Sequence, residues 1–360
     1  MKTVYLLTFA GSVNYGAAFQ GYALYRAVSE MGYPCVVIDY NREMHHRNYV
    51  LPSFRQSSLK GKAMKLLTSG ERRVLSNKFD AFVRKHETLT KAYNGDNSLH
   101  QHNWDPEDIY LLGSDQVLNL DVTAGDFQYY FDFVESPNKI AYAPSFGMNH
   151  IPEKYREKAE GLLRKFNCMT CREESGAKLI EAATGNEPQV VLDPSFLLSS
   201  DEWKEIFIQP KDKDYILVFP FRKDSPCISA ARAYAQNTGL PLINIAYMVE
   251  HVDGAKNVKN VSPEEWGGYV AHAQKVFTDS FHGMVFSLIF QRRFQVELDK
   301  ESRKMSRNSR ITDLLKRIDA SEILEGGEPD YSKIEPALNR EIEKSKKALS
   351  DMLVAVSARE

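Results

Sequence analysis

The chain opens on an alternation that few folds accommodate. TVYLLTF, at residues 3–9, is a short apolar run of β-type residues that suits a buried strand. The turn residues GSVNYG follow. In AAFQGYALYRAVSEMG, Phe19, Ala23, Ala27, Val28 and Met31 recur near helical spacing, and Gly32 supplies a stop. PCVVIDY is a second strand with an acidic residue, Asp39, near its end. Strand, turn, helix and strand in this order form the opening unit of a doubly wound α/β sheet.

The pattern continues along the chain. The basic, irregular stretch from about Arg42 to Arg73 reads as an excursion with one or two short helices, either a flap near an anionic ligand or a solvated loop. KFDAFVRKHETLT is helical. DIYLLGSDQVLN and KIAYAPSFG are strands running into polar turns, and a helix is expected around Glu153 to Phe166. NCMTCREESGAKLI gives a strand and a helix, and PQVVLDPSFLL a strand ending at Asp193 and Pro194. A second series begins at DYILVFPF and runs through the helix ISAARAYAQNTG and the strand LPLINIAY. In SPEEWGGYVAHAQ, Ser262 is the expected N-cap, Pro263 the first helical residue and Glu265 the reciprocal partner. KVFTDS, SFHGMVFSLIF, RFQVELD and ITDLLKRIDA complete it as strand, helix, strand and helix. The expected organisation is an N-terminal α/β domain over 1–205, a C-terminal α/β domain over 206–330, and a charged helix over 331–360 that packs back on the first domain or serves as a partner surface. The fold class is α/β, two Rossmann-like domains facing a cleft, with ligands beyond the carboxyl ends of the strands.

Composition narrows the function. The net charge of -2 on 360 residues lacks the basic excess of a nucleic-acid binder. The start MKTVYLLTFAGSVNYG has no long apolar region and no cleavage site, and no stretch approaches 18 apolar residues, so a cytoplasmic protein is expected, acting on any membrane-linked substrate by peripheral contact. Oligomeric state is open. Of four cysteines, Cys168 and Cys171 form a CMTC pair; a buried strand explains it better than redox or metal chemistry, since no second pair accompanies it. No ligand set for a metal is legible.

Several polar clusters fall at the predicted strand ends. Asn14, Tyr15 and Gly16 open the first helix, where backbone amides would cradle an anion, although a plain tight turn explains them as well. Asp115, in GSDQ, would orient a hydroxyl, act as a base or cap the next helix; Ser145, in SFG, offers a donor. Arg172 would grip a carboxylate or phosphate bidentately, or pair with an acid of its own domain. His282 follows Asp279 and Ser280 into a helix start. The dipole there opposes added positive charge, Asp279 would offset it, and the pair suits general acid–base work. Taken alone, the local pattern favours an ordinary structural or exposed histidine over a catalytic one.

Six of these stretches together resemble the polysaccharide pyruvyl transferase family: NYGAAFQGYAL (14–24), LLGSDQVLN (111–119), AYAPSFG (141–147), REESGAKL (172–179), VLDPSFLL (191–198) and TDSFHGMVFSLIF (278–290). The resemblance implies a GT-B-like enzyme with its site in the cleft, moving a pyruvyl group from phosphoenolpyruvate to a cell-wall or surface polysaccharide as a ketal. It aligns His282 with the family's catalytic histidine and Arg172 with an arginine linked to the donor; Ser280 stands where some members carry another arginine. The expected catalytic set is then His282, Asp115 and Asp279. The expected donor-binding set is Asn14, Tyr15, Gly16, Ser145, Arg172, Ser280 and Arg310, the last as a second clamp or as an ion pair with Asp313. Phosphoenolpyruvate is the donor substrate, a glycan the acceptor, and no separate cofactor is expected. The competing readings are a GT-B glycosyltransferase with a nucleotide-sugar donor and a non-catalytic glycan- or nucleotide-binding protein.

Overall fold

The computed structural model describes residues 2–41, 59–298 and 308–358. The chain forms two compact units, Met1–Leu197 with Lys344–Glu360, and Leu198–Glu343. Each is a parallel sheet flanked by helices, Rossmann-like in its connections.

In the first unit the order is β1 (Val4–Leu7), α1 (Tyr15–Glu30), β2 (Cys35–Val37), β3 (Tyr40–Asn41), α2 (Leu59–His86), β4 (Tyr93–Asn94), β5 (Ile109–Leu112), β6 (Lys139–Ala141), α3 (Arg156–Leu163), β7 (Cys168–Cys171), α4 (Glu174–Thr184) and β8 (Gln189–Val190). The main sheet runs β2-β1-β5-β6-β7-β8, all parallel. Its central strands are apolar throughout because both faces are covered. Val4, Leu6, Ile109 and Leu111 face one core, and Leu7, Tyr110 and Leu112 the other. The chain turns outward from β1 to β2 and later returns to β5 on the opposite side. The topological switch therefore lies between β1 and β5, and the turns following both strands flank it.

The second unit holds α5 (Ser200–Ile206), β9 (Ile216–Phe219), α6 (Pro226–Thr238), β10 (Leu242–Ile245), β11 (Lys256–Val258), α7 (Pro263–His272), β12 (Lys275–Thr278), α8 (Phe281–Ile289), β13 (Arg293–Val296) and α9 (Ser309–Arg317). Its parallel sheet runs β11-β10-β9-β12-β13, so its switch lies between β9 and β12. The capping box of α7 forms as its sequence indicates, with Ser262 and Glu265 bonded reciprocally and Pro263 in the first turn.

Three expectations change. The division falls after Leu197 rather than near residue 205, because α5 belongs to the second core: Trp203 stacks on Phe207 at 5.3 Å and meets Phe286 edge-on at 5.0 Å. The closing helix α10 (Tyr331–Ser357) is shared, its part up to Glu343 in the second unit and its remainder in the first, where Leu349, Leu353 and Val356 pack with Val4, Leu24 and Val28. Finally, α2 begins at Leu59, so 59–73 belongs to one long helix instead of an irregular excursion. Phe79 and Phe82 anchor its later turns in the core. The remainder of that basic stretch, 42–58, lies outside the described residues. The CMTC pair is β7, and both thiols are unbridged. No helix among the described residues is long and apolar enough to cross a membrane.

Candidate active site

Sequence-predicted residues collect past the carboxyl ends of both sheets, and each unit presents its own chemistry there. In the first unit the turn after β5 contains Asp115, whose backbone takes φ 70° and ψ -172°. That region is almost exclusive to glycine and costs a side-chain-bearing residue about 1–3 kcal/mol. Neighbours hold the conformation: Asp115 bridges Pro144 in the next turn, and its carbonyl accepts the Ser145 N–H at 2.9 Å. The Asp115 carboxylate lies 3.5 Å from Arg172.

Arg172 follows β7 directly and is only 4% exposed. Its guanidinium donates to Asp193 at 2.7 Å and lies 3.8 Å from Glu173. Burial opposes the charge, but the three surrounding carboxylates outweigh it and hold the pKa of Arg172 above its ordinary value. The other oxygen of Asp193 accepts both the N–H and the hydroxyl of Ser195. Glu173 accepts the Ser145 hydroxyl at 2.8 Å and the Phe146 N–H at 3.2 Å. Arg172, expected as a clamp on the donor or as an ion pair with an acid of its own domain, lies in a buried ion-pair cluster beside Asp115, and Ser145 is fully buried with its hydroxyl on Glu173. Asp193 and Glu173 are the residues that sequence reasoning missed here. Their signal was an acid at the end of a strand, the same signal that singled out Asp115.

At the start of α1, Asn14 is the N-cap and its side chain accepts the Ala17 N–H at 3.2 Å. The Tyr15 side chain is core, packed on Phe79 at 5.0 Å, so Tyr15 and Gly16 can offer a ligand only their backbone.

In the second unit, Thr278 ends β12, and its hydroxyl ties the switch together by donating to the Phe219 carbonyl of β9 at 2.7 Å and accepting the Ser280 N–H at 3.0 Å. Ser280 caps α8 by accepting the Gly283 N–H. Gly283 is required by proximity: a Cβ there would stand 2.7 Å from the Thr278 hydroxyl oxygen. The small residue after His282 thus lets the helix start close against the strand end. His282 occupies the first turn of α8 and is 9% exposed. Its ring meets Phe281 edge-on at 5.1 Å. Arg310, in the first turn of α9, lies over the same Phe281 ring at 5.5 Å. The structure thus brings His282 and Arg310 to one aromatic side chain, although a long stretch of sequence separates them.

Asp279 faces the turn after β9. Its Oδ1 accepts the Phe221 N–H at 2.6 Å and its Oδ2 lies 3.9 Å from Arg222. Burial pushes the Asp279 carboxyl above its ordinary value, against the pull of the Phe221 amide, the Ser225 hydroxyl and Arg222. Arg222 is a third residue that sequence reasoning missed. It stands just past β9, as Arg172 stands past β7, and its side chain is 28% exposed. With His282, Arg310 and the α8 start it stands at the β9/β12 switch.

The family model for polysaccharide pyruvyl transferase matches residues 14–294. The chain belongs to that family. Membership makes it an enzyme of the pyruvyl-transfer type, with phosphoenolpyruvate-dependent pyruvylation of a glycan as its reaction. The match spans the Asn14 turn, both switch points and the TDSFHG segment. No curated protein matches the sequence. Among solved structures, the chain is similar to UDP-GlcNAc 2-epimerase from Methanocaldococcus jannaschii, at 11% identity and TM-score 0.45, over 98% of this chain and 99% of that one. It is also similar to an E. coli heptosyltransferase with ADP, at 12% identity and TM-score 0.37, over 82% and 87%. A third is the glycosyltransferase SnogD from Streptomyces nogalater, at 10% and 0.37, over 99% of both chains. The substrates of these proteins do not pass to this chain.

Proposed function

We propose that the protein forms a cyclic pyruvyl ketal on a sugar of a surface or cell-wall polysaccharide, with donor chemistry at the β9/β12 switch of the second unit. The observation that carries this reading is the convergence of His282, Arg310 and the α8 N-terminus on Phe281 at the β9/β12 switch. Phosphoenolpyruvate carries a phosphate and a carboxylate on one enol. Guanidinium groups and helix-start amides suit those anions. Arg310 and Arg222 take the clamp role in this reading, and the α8 start supplies amides where Ser280 replaces a larger cation. The start of α1 offers further amides to a phosphate.

His282 acts as the general acid that protonates the methylene carbon. This leaves C2 electron-poor, and a sugar hydroxyl attacks it and returns a proton to the imidazole that gave one up. Phosphate departs with the C–O electron pair. A second hydroxyl of the same sugar then closes the ketal, its proton balancing the departing phosphate. Asp279 holds the turn after β9 and so positions Arg222, while Arg172 holds Asp115. The strained backbone of Asp115 supports an active role, since such conformations persist where function demands a fixed side chain.

The test is a screen of phosphoenolpyruvate and nucleotide-sugar donors against glycan acceptors, read by product mass and phosphate release. An acceptor heavier by pyruvic acid less water, with one phosphate released per product, is the expected result. Transfer of a glycosyl mass from a nucleotide sugar would replace this reading.

A further inference from the structure

The first unit holds a pocket that the reaction above leaves unused. It has a volume of about 310 Å³, at the lower end of the range of small-molecule sites. It opens past the carboxyl ends of β1 and β2, beside the switch strand β1, where ligands of open α/β sheets collect. Gly11 follows β1 and Asp39 follows β2. Asn77, Asp80 and Arg84 come from one face of α2, and Asn94 from β4. Phe79 and its apolar neighbours complete the wall.

Asp39 is 7% exposed and its backbone is fixed on both sides. Its N–H donates to the Thr90 hydroxyl at 3.0 Å, and its carbonyl accepts the Tyr93 N–H at 2.8 Å. Arg84 donates through Nε to both oxygens of Asp80, at 3.1 and 3.0 Å, and reaches Asp39 at 3.5 Å through Nη2. Among the described residues the lining sets two carboxylates, Asp39 and Asp80, against one guanidinium. That balance repels a phosphate or a pyruvyl carboxylate, so the pocket does not suit the donor. It suits a neutral ligand rich in hydroxyl donors with an apolar face. A carboxylate has two oxygens that accept from adjacent hydroxyls at once, and the side-chain amides of Asn77 and Asn94 both donate and accept. The aromatic and aliphatic wall suits the C–H face of a sugar ring.

We propose that this pocket binds one sugar ring through a vicinal pair of hydroxyls, with Asp39 as the bidentate acceptor. Only the assignment of that ring to the acceptor glycan rests on the function proposed above. The same diol chemistry occurs in a nucleoside ribose, so the test separates the two sources.

Ligand-observed NMR on the full chain, with methyl hexopyranosides in one arm and uridine in the other, and without phosphoenolpyruvate, reads binding directly. The expected result is saturation transfer to hexoside ring protons, with affinity reduced about tenfold or more in Asp39→Asn, as befits loss of a hydrogen bond to a charged group. Uridine binding that depends on Asp39, without hexoside binding, would keep the diol site but overturn its assignment to the acceptor. Binding of neither ligand, or binding indifferent to Asp39, overturns the proposal. Asn77 and Asn94 are exposed, and Asn94→Ala and Asn77→Ala carry the same test should Asp39→Asn melt early. Because no donor is present, failure of pyruvyl transfer and failure of this pocket appear in different measurements.

Discussion

At the carboxyl end of the first sheet one guanidinium is enclosed by three carboxylates, of which Asp193 and Glu173 accept further hydrogen bonds. At the carboxyl end of the second, a histidine and an arginine share one phenyl ring beside a helix start, with another arginine past the neighbouring strand. The two switch points share a topology but differ in how their charges are used. Arg172 is bound into a buried framework of carboxylates. Arg222 lies 3.9 Å from both Asp224 and Asp279 with its side chain 28% exposed, and Arg310 lies over the Phe281 ring.

The sharpest break of this contrast is His282→Ala. Loss of a general acid lowers kcat by about 10²–10⁴-fold. The measurement is phosphate release with phosphoenolpyruvate and acceptor, alongside a thermal melt to show an unchanged fold. Turnover at the parental rate removes His282 from the chemistry.

The next effect is on stability. Arg172→Met strips one partner from a buried set and leaves the acids without a counter-charge, at a cost of about 3–5 kcal/mol in urea unfolding. Arg310→Ala removes a cation–π contact worth about 0.5–1 kcal/mol and raises the KM for phosphoenolpyruvate instead. A reversal, with Arg172→Met stable and Arg310→Ala unfolded, would contradict the assignment of scaffold and site.

A smaller difference isolates the backbone of Asp115. Asp115→Gly and Asp115→Ala both lose the carboxylate, but glycine accepts φ 70° without strain. The glycine variant is expected to be the more stable by about 1–3 kcal/mol, with both similarly inactive.

A pH-dependent effect concerns Glu87, outside both switch points. Burial pushes its carboxyl from 4.5 up to about 8. The folded state therefore holds a proton that the unfolded chain releases near pH 4.5. This contribution to stability is full below that pH and is lost as pH rises towards about 8. Glu87→Gln should flatten the fall in Tm across that window; an unchanged slope assigns the pH dependence to other groups.

Most of the elements were legible because the strands are continuous apolar runs and the helices begin at recognisable caps. Ser262 with Glu265 and Ser280 before Phe281 are local chemistry, and local chemistry is what a sequence displays. The edge strand β11 was not legible: KNV is short, polar and partly exposed, and only its register against β10 makes it a strand. Nor was the membership of α5, which Trp203 decides through a partner far along the chain. The site divides in the same way. His282 was singled out by its motif, whereas the ion pairs of Arg172 depended on Asp193 and Asp115, acids distant in sequence and adjacent only once the strands pair. Arg222 displayed the same signal as Arg172 and was passed over because no motif surrounded it.

The shared helix α10 has a consequence for synthesis. Its residues from Ala348 to Val356 complete a core begun by residues 4–28. The ribosome makes the whole second unit in between. The earliest apolar strip therefore waits, uncovered on that face, while a second sheet is translated and given its chance to fold. A premature stop anywhere in the second unit would remove the helix segment that covers this apolar strip.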